Sequence, residues 1–271
     1  MKAVGFDYER PTALDHALEL LARDDVSARA VAGAQSLGPM LNLRLAQPDL
    51  LVDITHIAEL RQIRREDGTL RIGACVTHAR LEDGDYDDAT RGVLPAVAAG
   101  IAYRAVRNRG TIGGSVAHAD PAADWIATLT ALGADVVVAG PAGRRAVPVS
   151  DFVLGVFETD LQPGEIIAEF RVPALSERAR WGYYKVCRKA GEFSHATGAV
   201  LVDPARGVSR AVIAAASGRP VVVDDPEVIH GNGCRPERIA DLLAGTPIGG
   251  DAFEVNTHTV ALKRAIAQVT A

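Results

Sequence analysis

The sequence predicts an α+β fold, and three observations carry that prediction. A strand–turn–helix–strand pattern opens the chain, hairpin signals fill its middle, and strand-like runs with short connections form a meander near its end.

Residues 29–32 read as a short buried strand, and residues 33–36 (Gly33, Ala34, Gln35, Ser36) as a turn. Over 37–46 the apolar residues Leu37, Met40, Leu41 and Leu45 recur at helical spacing until Pro48 stops them. A second buried strand spans 50–54, and a short helical crossover between two strands makes a parallel unit. Residues 62–65 and 69–72 flank Glu66-Asp67-Gly68 as a hairpin. Helices follow over 77–81 and 93–99. Asp120-Pro121 reads as a helix start, with Asp120 as N-cap, and the helix runs over 122–132. A hairpin over 135–139 and 144–147 turns at Pro141-Ala142-Gly143, and a strand over 166–172 ends at Pro173. Residues 174–178 suit a linker. Strands over 183–188, 199–202 and 208–214 make the meander, and helices near 239–243 and 257–269 finish the chain.

A chain of 271 residues is long enough for two domains. A net charge of −5 argues against a nucleic-acid partner, which needs a basic stripe. No apolar run reaches the roughly 18 residues of a membrane span. Acidic Asp7 arrives before any hydrophobic region develops, so a secretory leader is not expected and the protein reads as cytoplasmic. Cys75, Cys187 and Cys234 stand apart, without the paired spacing of a zinc or iron–sulfur site, so iron–sulfur chemistry would have to come from another chain.

Strand, glycine turn and helix start together make an anion site, because backbone N–H groups converge and the helix N-terminus adds its dipole. Gly33 permits unusual φ or close approach, and Ser36 can cap the helix or donate to a phosphate. The same residues also suit a helix start without any ligand. The G-x-G-x-x-G dinucleotide fingerprint is absent. Ala34-Gln35-Ser36-Leu37-Gly38 is one residue from a nucleophile elbow, which would make Ser36 a hydrolase nucleophile, but no Asp and His partners stand out.

The second segment is Arg107-Asn108-Arg109-Gly110-Thr111-Ile112-Gly113-Gly114-Ser115. Gly113-Gly114 bares the backbone and Thr111 and Ser115 add hydroxyls, which suits a polyanion or a ring, or equally a tight turn. A dinucleotide can use two such separated segments. Asp124 would lie one turn into the next helix, placed for a ribose or adenine group. His118, Asp120 and Asp124 are a weak metal set, because Asp120 is expected to cap. Arg104, Arg107 and Arg109 suit a helix C-terminus closed by Gly110, with phosphate or partner binding as the other reading.

Taken together, Ala32-Gly33-Ala34-Gln35-Ser36-Leu37, Pro39 to Ala46, Leu51-Val52-Asp53-Ile54 and the run Arg107 to Pro121 resemble the FAD-binding medium subunits of the xanthine dehydrogenase and carbon monoxide dehydrogenase family, the molybdenum hydroxylases. The likeness runs from Phe6-Asp7-Tyr8 to Lys185–Phe193 and fades after Val202. It implies a two-subdomain FAD-binding domain of the vanillyl-alcohol-oxidase-like type over 1–175, divided near residue 55, and a C-terminal domain of small antiparallel sheet and helices over 178–271. It implies FAD contacts at Ala32, Gly33, Ala34, Gln35, Ser36 and Leu37, with Arg29 just outside, and at Thr111, Ile112, Gly113, Gly114 and Ser115. Asp124, Ile167 and Lys185 match further contacts, and no catalytic acid or base is implied. Ala34 departs from the family's second glycine, a change that a negative φ would accommodate.

The resemblance further implies a molybdenum-cofactor large subunit and a small subunit with two two-iron two-sulfur clusters, in a dimer of heterotrimers. Electrons would pass through FAD to an acceptor such as NAD or a quinone. Residues 108–111 and 118–120 look more like the branch acting on N-heterocycles and aromatic compounds than the carbon monoxide enzymes. A free-standing flavin oxidase and a binding-only module with a vestigial flavin fold are the competing readings.

Overall fold

The computed structural model describes residues 2–216, 218–231 and 233–270, and within them helices and strands are mixed along the chain. The first sheet is small and parallel: β1 (Asp7–Glu9) and β2 (Ala28–Val31) flank β3 (Leu50–Asp53). Its two helices, α1 (Leu14–Leu21) and α2 (Leu37–Asn42), are the crossovers, as the strand–helix–strand pattern requires. The helix expected over 37–46 stops four residues early. Arg44 adopts a left-handed conformation (φ 59°), and the N–H groups of Leu45 and Ala46 return to Met40 O, so Leu45 faces solvent instead of the core.

The second sheet is antiparallel, in the order β4 (Ile63–Glu66), β5 (Thr69–Gly73), β10 (Ile166–Pro173), β6 (Asp135–Gly140), β7 (Gly143–Pro148). Between β7 and β10 the chain makes a short helix and a two-stranded hairpin, β8 (Val153–Gly155) and β9 (Glu158–Thr159). Asp67 and Gly68 both have positive φ at the β4–β5 turn, the signature of the hairpin turn that matches strand twist. Between the hairpins run α3 (His78–Asp83), α4 (Val93–Ala99), α5 (Arg104–Arg107), α6 (Ile112–His118) and α7 (Asp124–Leu132), with α8 (Val149–Phe152) beyond β7.

The third sheet is the meander, β11 (Arg180–Val186), β12 (Ala196–Asp203), β13 (Val208–Ala214) and β14 (Val221–Val223), in sequential antiparallel order. The helices α9 (Pro226–His230), α10 (Pro236–Leu243) and α11 (Ala252–Thr270) pack on it.

Every residue of α7 is buried, and the reason is its position between two sheets. Trp125, Ile126, Leu129 and Leu132 fill the core of the second sheet with Phe170, Val136 and Val138. Its opposite side presents Ala127 and Ala131 to Ala199, Val212 and Ala214, where small side chains let the meander come close. Each large side chain so buried contributes about 1.5–3 kcal/mol.

The helix does not begin where Asp120-Pro121 suggested. Asp120 Oδ1 accepts from Ala122 N–H (2.9 Å) in a separate turn, and Ala215 N–H takes the Pro121 carbonyl (3.1 Å). Those groups are spent outside a helix, so α7 starts at Asp124 with Ala123 extended before it. Residues 174–178 are also tied down: Asp203 accepts from both the N–H (3.0 Å) and hydroxyl (2.5 Å) of Ser176.

Candidate functional site

The first glycine segment leaves β2 and enters α2. A Cβ on Gly33 would lie 2.0 Å from Arg109 O and 2.8 Å from Gly110 Cα, so glycine is what lets the two segments touch. The left-handed residue is its neighbour, Ala34, at φ 58°. The accommodation expected of Ala34, a negative φ, is therefore not the one adopted, and an L-residue there costs about 1–2 kcal/mol. Gln35 closes the turn by donating Nε2–H to Gly33 O (2.9 Å). Ser36 makes no capping bond, because its backbone is already near-helical (φ −103°, ψ −48°) where a capping residue would be extended.

These conformations leave a run of donors. The N–H groups of Ala34, Gln35, Ser36 and Leu37 have no acceptor among the described residues, whereas those of Gly38 and Met40 bond Ala34 O and Ser36 O. Successive free N–H groups around a left-handed residue at a helix start form a concave anion nest.

The second segment behaves differently. Residues 112–115, expected in a loop, form the first turn of α6 behind Thr111, whose Oγ1 accepts from Gly114 N–H (3.1 Å). Ile112 and Gly113 N–H bond Val76 O (3.0 Å) and Ala74 O (2.9 Å), and Ser115 N–H bonds Thr111 O (3.0 Å). Gly113 is needed because its Cβ would fall 2.5 Å from that of Ala74. Donors at 112–115 are thus committed inside the protein, and the residues just before them, Arg109 and Gly110, form a buttress for Gly33. Gly114 is exposed and Ser115 half-buried.

Beneath the buttress lies His78. Its N–H donates to Gly110 O (2.9 Å), and its Nδ1 accepts from Trp125 Nε1–H (3.0 Å), which leaves the proton on Nε2 of a neutral ring. Burial, reinforced by the Arg107 charge, pushes the imidazole down to about 4.

Arg107 is buried and takes no part in an anion site. It forms a paired bond to Glu82 (Nε 2.7 Å, Nη2 2.8 Å) and donates Nη1–H to Ile101 O (2.8 Å) and Ala102 O (2.9 Å). Arg104 is likewise bound to Glu82 and Asp83. Lys185 completes the arrangement, donating Nζ–H to Gly100 O (2.9 Å) and to Asp124 Oδ1 (2.9 Å). Three successive carbonyls, at Gly100, Ile101 and Ala102, are therefore held by two cations, each with its own carboxylate.

Asp124 and Lys185 are brought together, 61 residues apart in sequence. Tyr183, not singled out in the sequence, donates its hydroxyl to the same Asp124 oxygen (2.6 Å), and burial with the neighbouring Asp124 charge raises its pKa well above the usual tyrosine value. Tyr183 and Lys185 sit two apart on one strand and so share a face, which is the signal that could have paired them. Ile167 is placed differently: its side chain is only 3% exposed and lies in the core. Arg29 is exposed on β2.

The donor set tests well against a pyrophosphate. Four free N–H groups at a helix start, on a turn backed by the main chain of Arg109 and Gly110, supply what a dinucleotide's phosphates need without a basic side chain. Among the described residues no group of three His, Cys, Asp or Glu side chains is arranged to hold a metal ion, and no helix is long and apolar enough to cross a membrane.

Residues 4–175 match the family model described as the FAD binding domain in molybdopterin dehydrogenase. The chain is 34% identical over 253 residues to caffeine dehydrogenase subunit beta of Pseudomonas sp. (strain CBB1), covering 93% of this chain and 82% of that one. It is 42% identical over 197 residues to the carbon monoxide dehydrogenase medium chain of Hydrogenophaga pseudoflava, covering 73% of this chain and 69% of that one. Among solved structures, carbon monoxide dehydrogenase from Hydrogenophaga pseudoflava superposes over 100% of this chain and 99% of its own, with TM-score 0.87 at 34% identity. Quinoline 2-oxidoreductase from Pseudomonas putida 86 does so over 100% and 99%, with TM-score 0.85 at 30% identity. A glycine that lets two segments touch, and a run of free amides beside it, thus stand in a chain that belongs to the family of FAD-binding domains of molybdopterin dehydrogenases, flavoprotein subunits of molybdenum hydroxylase oxidoreductases.

Proposed function

We propose that the chain holds the FAD pyrophosphate on the amides of Ala34, Gln35, Ser36 and Leu37, with Thr111, Ile112, Gly113, Gly114 and Ser115 backing the turn and Ala32 and Gly33 forming its floor. The nest of four free N–H groups is the observation that carries this reading. Arg29 lies beside the nest's strand as an outlying cation. Asp124 and Lys185 form the second contact region, held in place by Tyr183 and by the carbonyls at 100–102. Ile167 contributes through its backbone, at the bulge between Ile167 and Glu169.

FAD, when bound, would supply the redox chemistry that links iron–sulfur clusters to an acceptor. The residues of this chain bind, orient and exclude water; none is assigned as acid or base. The partners are a molybdenum-cofactor large subunit and a small subunit with two-iron two-sulfur clusters, in a dimer of heterotrimers, in the cytoplasm, with NAD or a quinone as acceptor. The FAD-binding domain covers 1–175, with subdomains meeting near residue 55, and the C-terminal domain covers 178–271. Relatives named for caffeine, nicotine and carbon monoxide all match, which supports assigning the choice of substrate to the large subunit.

An absorption spectrum of the purified chain tests the reading. Bands of oxidised flavin, or their appearance on adding FAD to the apoprotein, are expected. A colourless protein that takes up no FAD would overturn it.

A further inference from the structure

The open face of the second sheet carries a row of arginines that the flavin reading does not use. Arg64 on β4, Arg71 on β5 and Arg171 on β10 stand opposite one another across three neighbouring strands. Like charges directly opposite destabilise a sheet unless something holds them. Glu169 does so, with its side chain 7% exposed: it accepts from Arg64 Nη2 (3.3 Å), Arg71 Nε (3.0 Å) and Nη2 (2.5 Å), and Arg171 Nε (3.1 Å). A carboxylate has about four lone-pair sites, so Glu169 is saturated. Glu66, half exposed, also pairs with Arg71 Nη1 (2.5 Å) and Arg64 Nε (3.8 Å), and Arg64 Nη1 donates to Gln62 Oε1 (3.3 Å), so the row is largely balanced within the sheet.

Beside Arg64 the surface falls into a hollow of about 460 Å³, lined by Ala58, Arg61, Gln62, Ile63, Arg64 and Arg80. Three guanidinium groups and no carboxylate line it. Arg80 is fixed there by a bond from its Nη1 to Arg61 O (2.7 Å). The Arg61 guanidinium has no hydrogen bond or ion pair among the described residues. Asp135 stands opposite Arg171, at the end of the row away from the hollow.

This concentration of arginine sits in a chain whose net charge is −5. We propose that the hollow at the end of this row docks an acidic segment of a partner subunit, whose Asp or Glu carboxylates enter between Arg61, Arg64 and Arg80. Guanidinium forks match carboxylates in shape, and arginine sheds water more readily than lysine, as an interface requires. A nucleic acid does not fit, because a long polyanion would meet the negative remainder of the surface. A short acidic segment meets only the patch. The proposal rests on the multi-subunit assembly given above, and its partner is one of those subunits.

The test is assembly of the chain co-produced with its large and small subunits, followed by sedimentation velocity at rising salt. Arg61→Glu/Arg80→Glu is expected to weaken assembly at least about tenfold and to flatten its salt dependence, since charge reversal at an interface acts on both. Arg61→Lys/Arg80→Lys, which keeps the charge, is expected to retain most of the assembly. FAD uptake by each variant reports that it is folded. Equal assembly of wild type and the reversed variant, with equal salt dependence, overturns the docking site alone. Failure of the wild type to assemble overturns the assembly reading and the docking site with it. If inorganic phosphate binds saturably to the wild-type chain and not to the reversed variant, while assembly is unchanged, the hollow is a small-anion site and the proposal is wrong.

Discussion

The carbonyl oxygen of Arg109 occupies the place a side chain on Gly33 would need, 2.0 Å from where its Cβ would stand. Two segments that never pair as strands are thereby pressed backbone to backbone, and the shape of the amide nest depends on that contact. Gly33→Ala is expected to push the segments apart at a cost of about 1–3 kcal/mol, as for overpacking generally, and to lower FAD affinity by more than tenfold. Urea unfolding and flavin titration check the two effects. An alanine variant with unchanged stability would show that the segments are not in contact.

Ala34 leads to the opposite prediction. Its left-handed backbone (φ 58°) is strained for any residue with a Cβ, so Ala34→Gly is expected to stabilise the protein by about 1 kcal/mol in spite of glycine's greater freedom when unfolded. The midpoint of urea unfolding measures it, and a destabilised variant would refute the assignment of strain.

The Tyr183–Asp124–Lys185 cluster separates a hydrogen bond from a charge. Tyr183→Phe removes one donor from an otherwise paired carboxylate and is expected to cost about 1.5–3 kcal/mol, the range for a bond to a charged group. Lys185→Met leaves Asp124 buried without its cation and is expected to cost about 3–5 kcal/mol. Denaturation of both variants at one pH gives the ranking; a Lys185→Met cost below that of Tyr183→Phe would contradict it.

His78 makes stability depend on pH. The unfolded chain binds a proton at this ring below about 6.5, whereas the folded protein, with the ring held down to about 4, does so only in stronger acid. The unfolded state therefore holds more protons between those values, and stability falls as pH drops from about 6.5 to 4, by up to about 3 kcal/mol from this group. His78→Gln, which keeps an acceptor for Trp125, is expected to flatten that part of the curve. Urea unfolding at pH 7 and pH 4.5 for both proteins decides it.

Local rules carried much of the fold. The period of the apolar residues places α4 at Val93–Ala99 and β13 at Val208–Ala214, with the bounds the sequence suggests. Asp67-Gly68 announces its hairpin because only a few residues accept positive φ there. The start of α7 was not legible, since it is set by Ala215 reaching Pro121 from 94 positions away, and no local propensity encodes that. The free amides at 34–37 follow from a strand–turn–helix pattern visible in the sequence. The commitment of the donors at 112–115 does not, because it depends on Ala74 and Val76 arriving alongside. Arg107 stands at the end of α5, as the sequence suggests, but its enclosure by Glu82 and the carbonyls at 101 and 102 depends on segments no local pattern brings together.

The grip on the turn at 100–102 comes from two places at once: Arg107 belongs to α5, but Lys185 arrives on the first strand of the meander. The stretch that matches the family model ends at residue 175, ten positions before Lys185. A fragment cut there would retain every glycine of both segments and still be incomplete. Asp124 would face the exposed flank of α7 with neither lysine nor tyrosine, and Gly100 O would lose its donor. Docking of the meander and completion of the Asp124 cluster are, in that sense, a single event: whatever loosens one loosens the other.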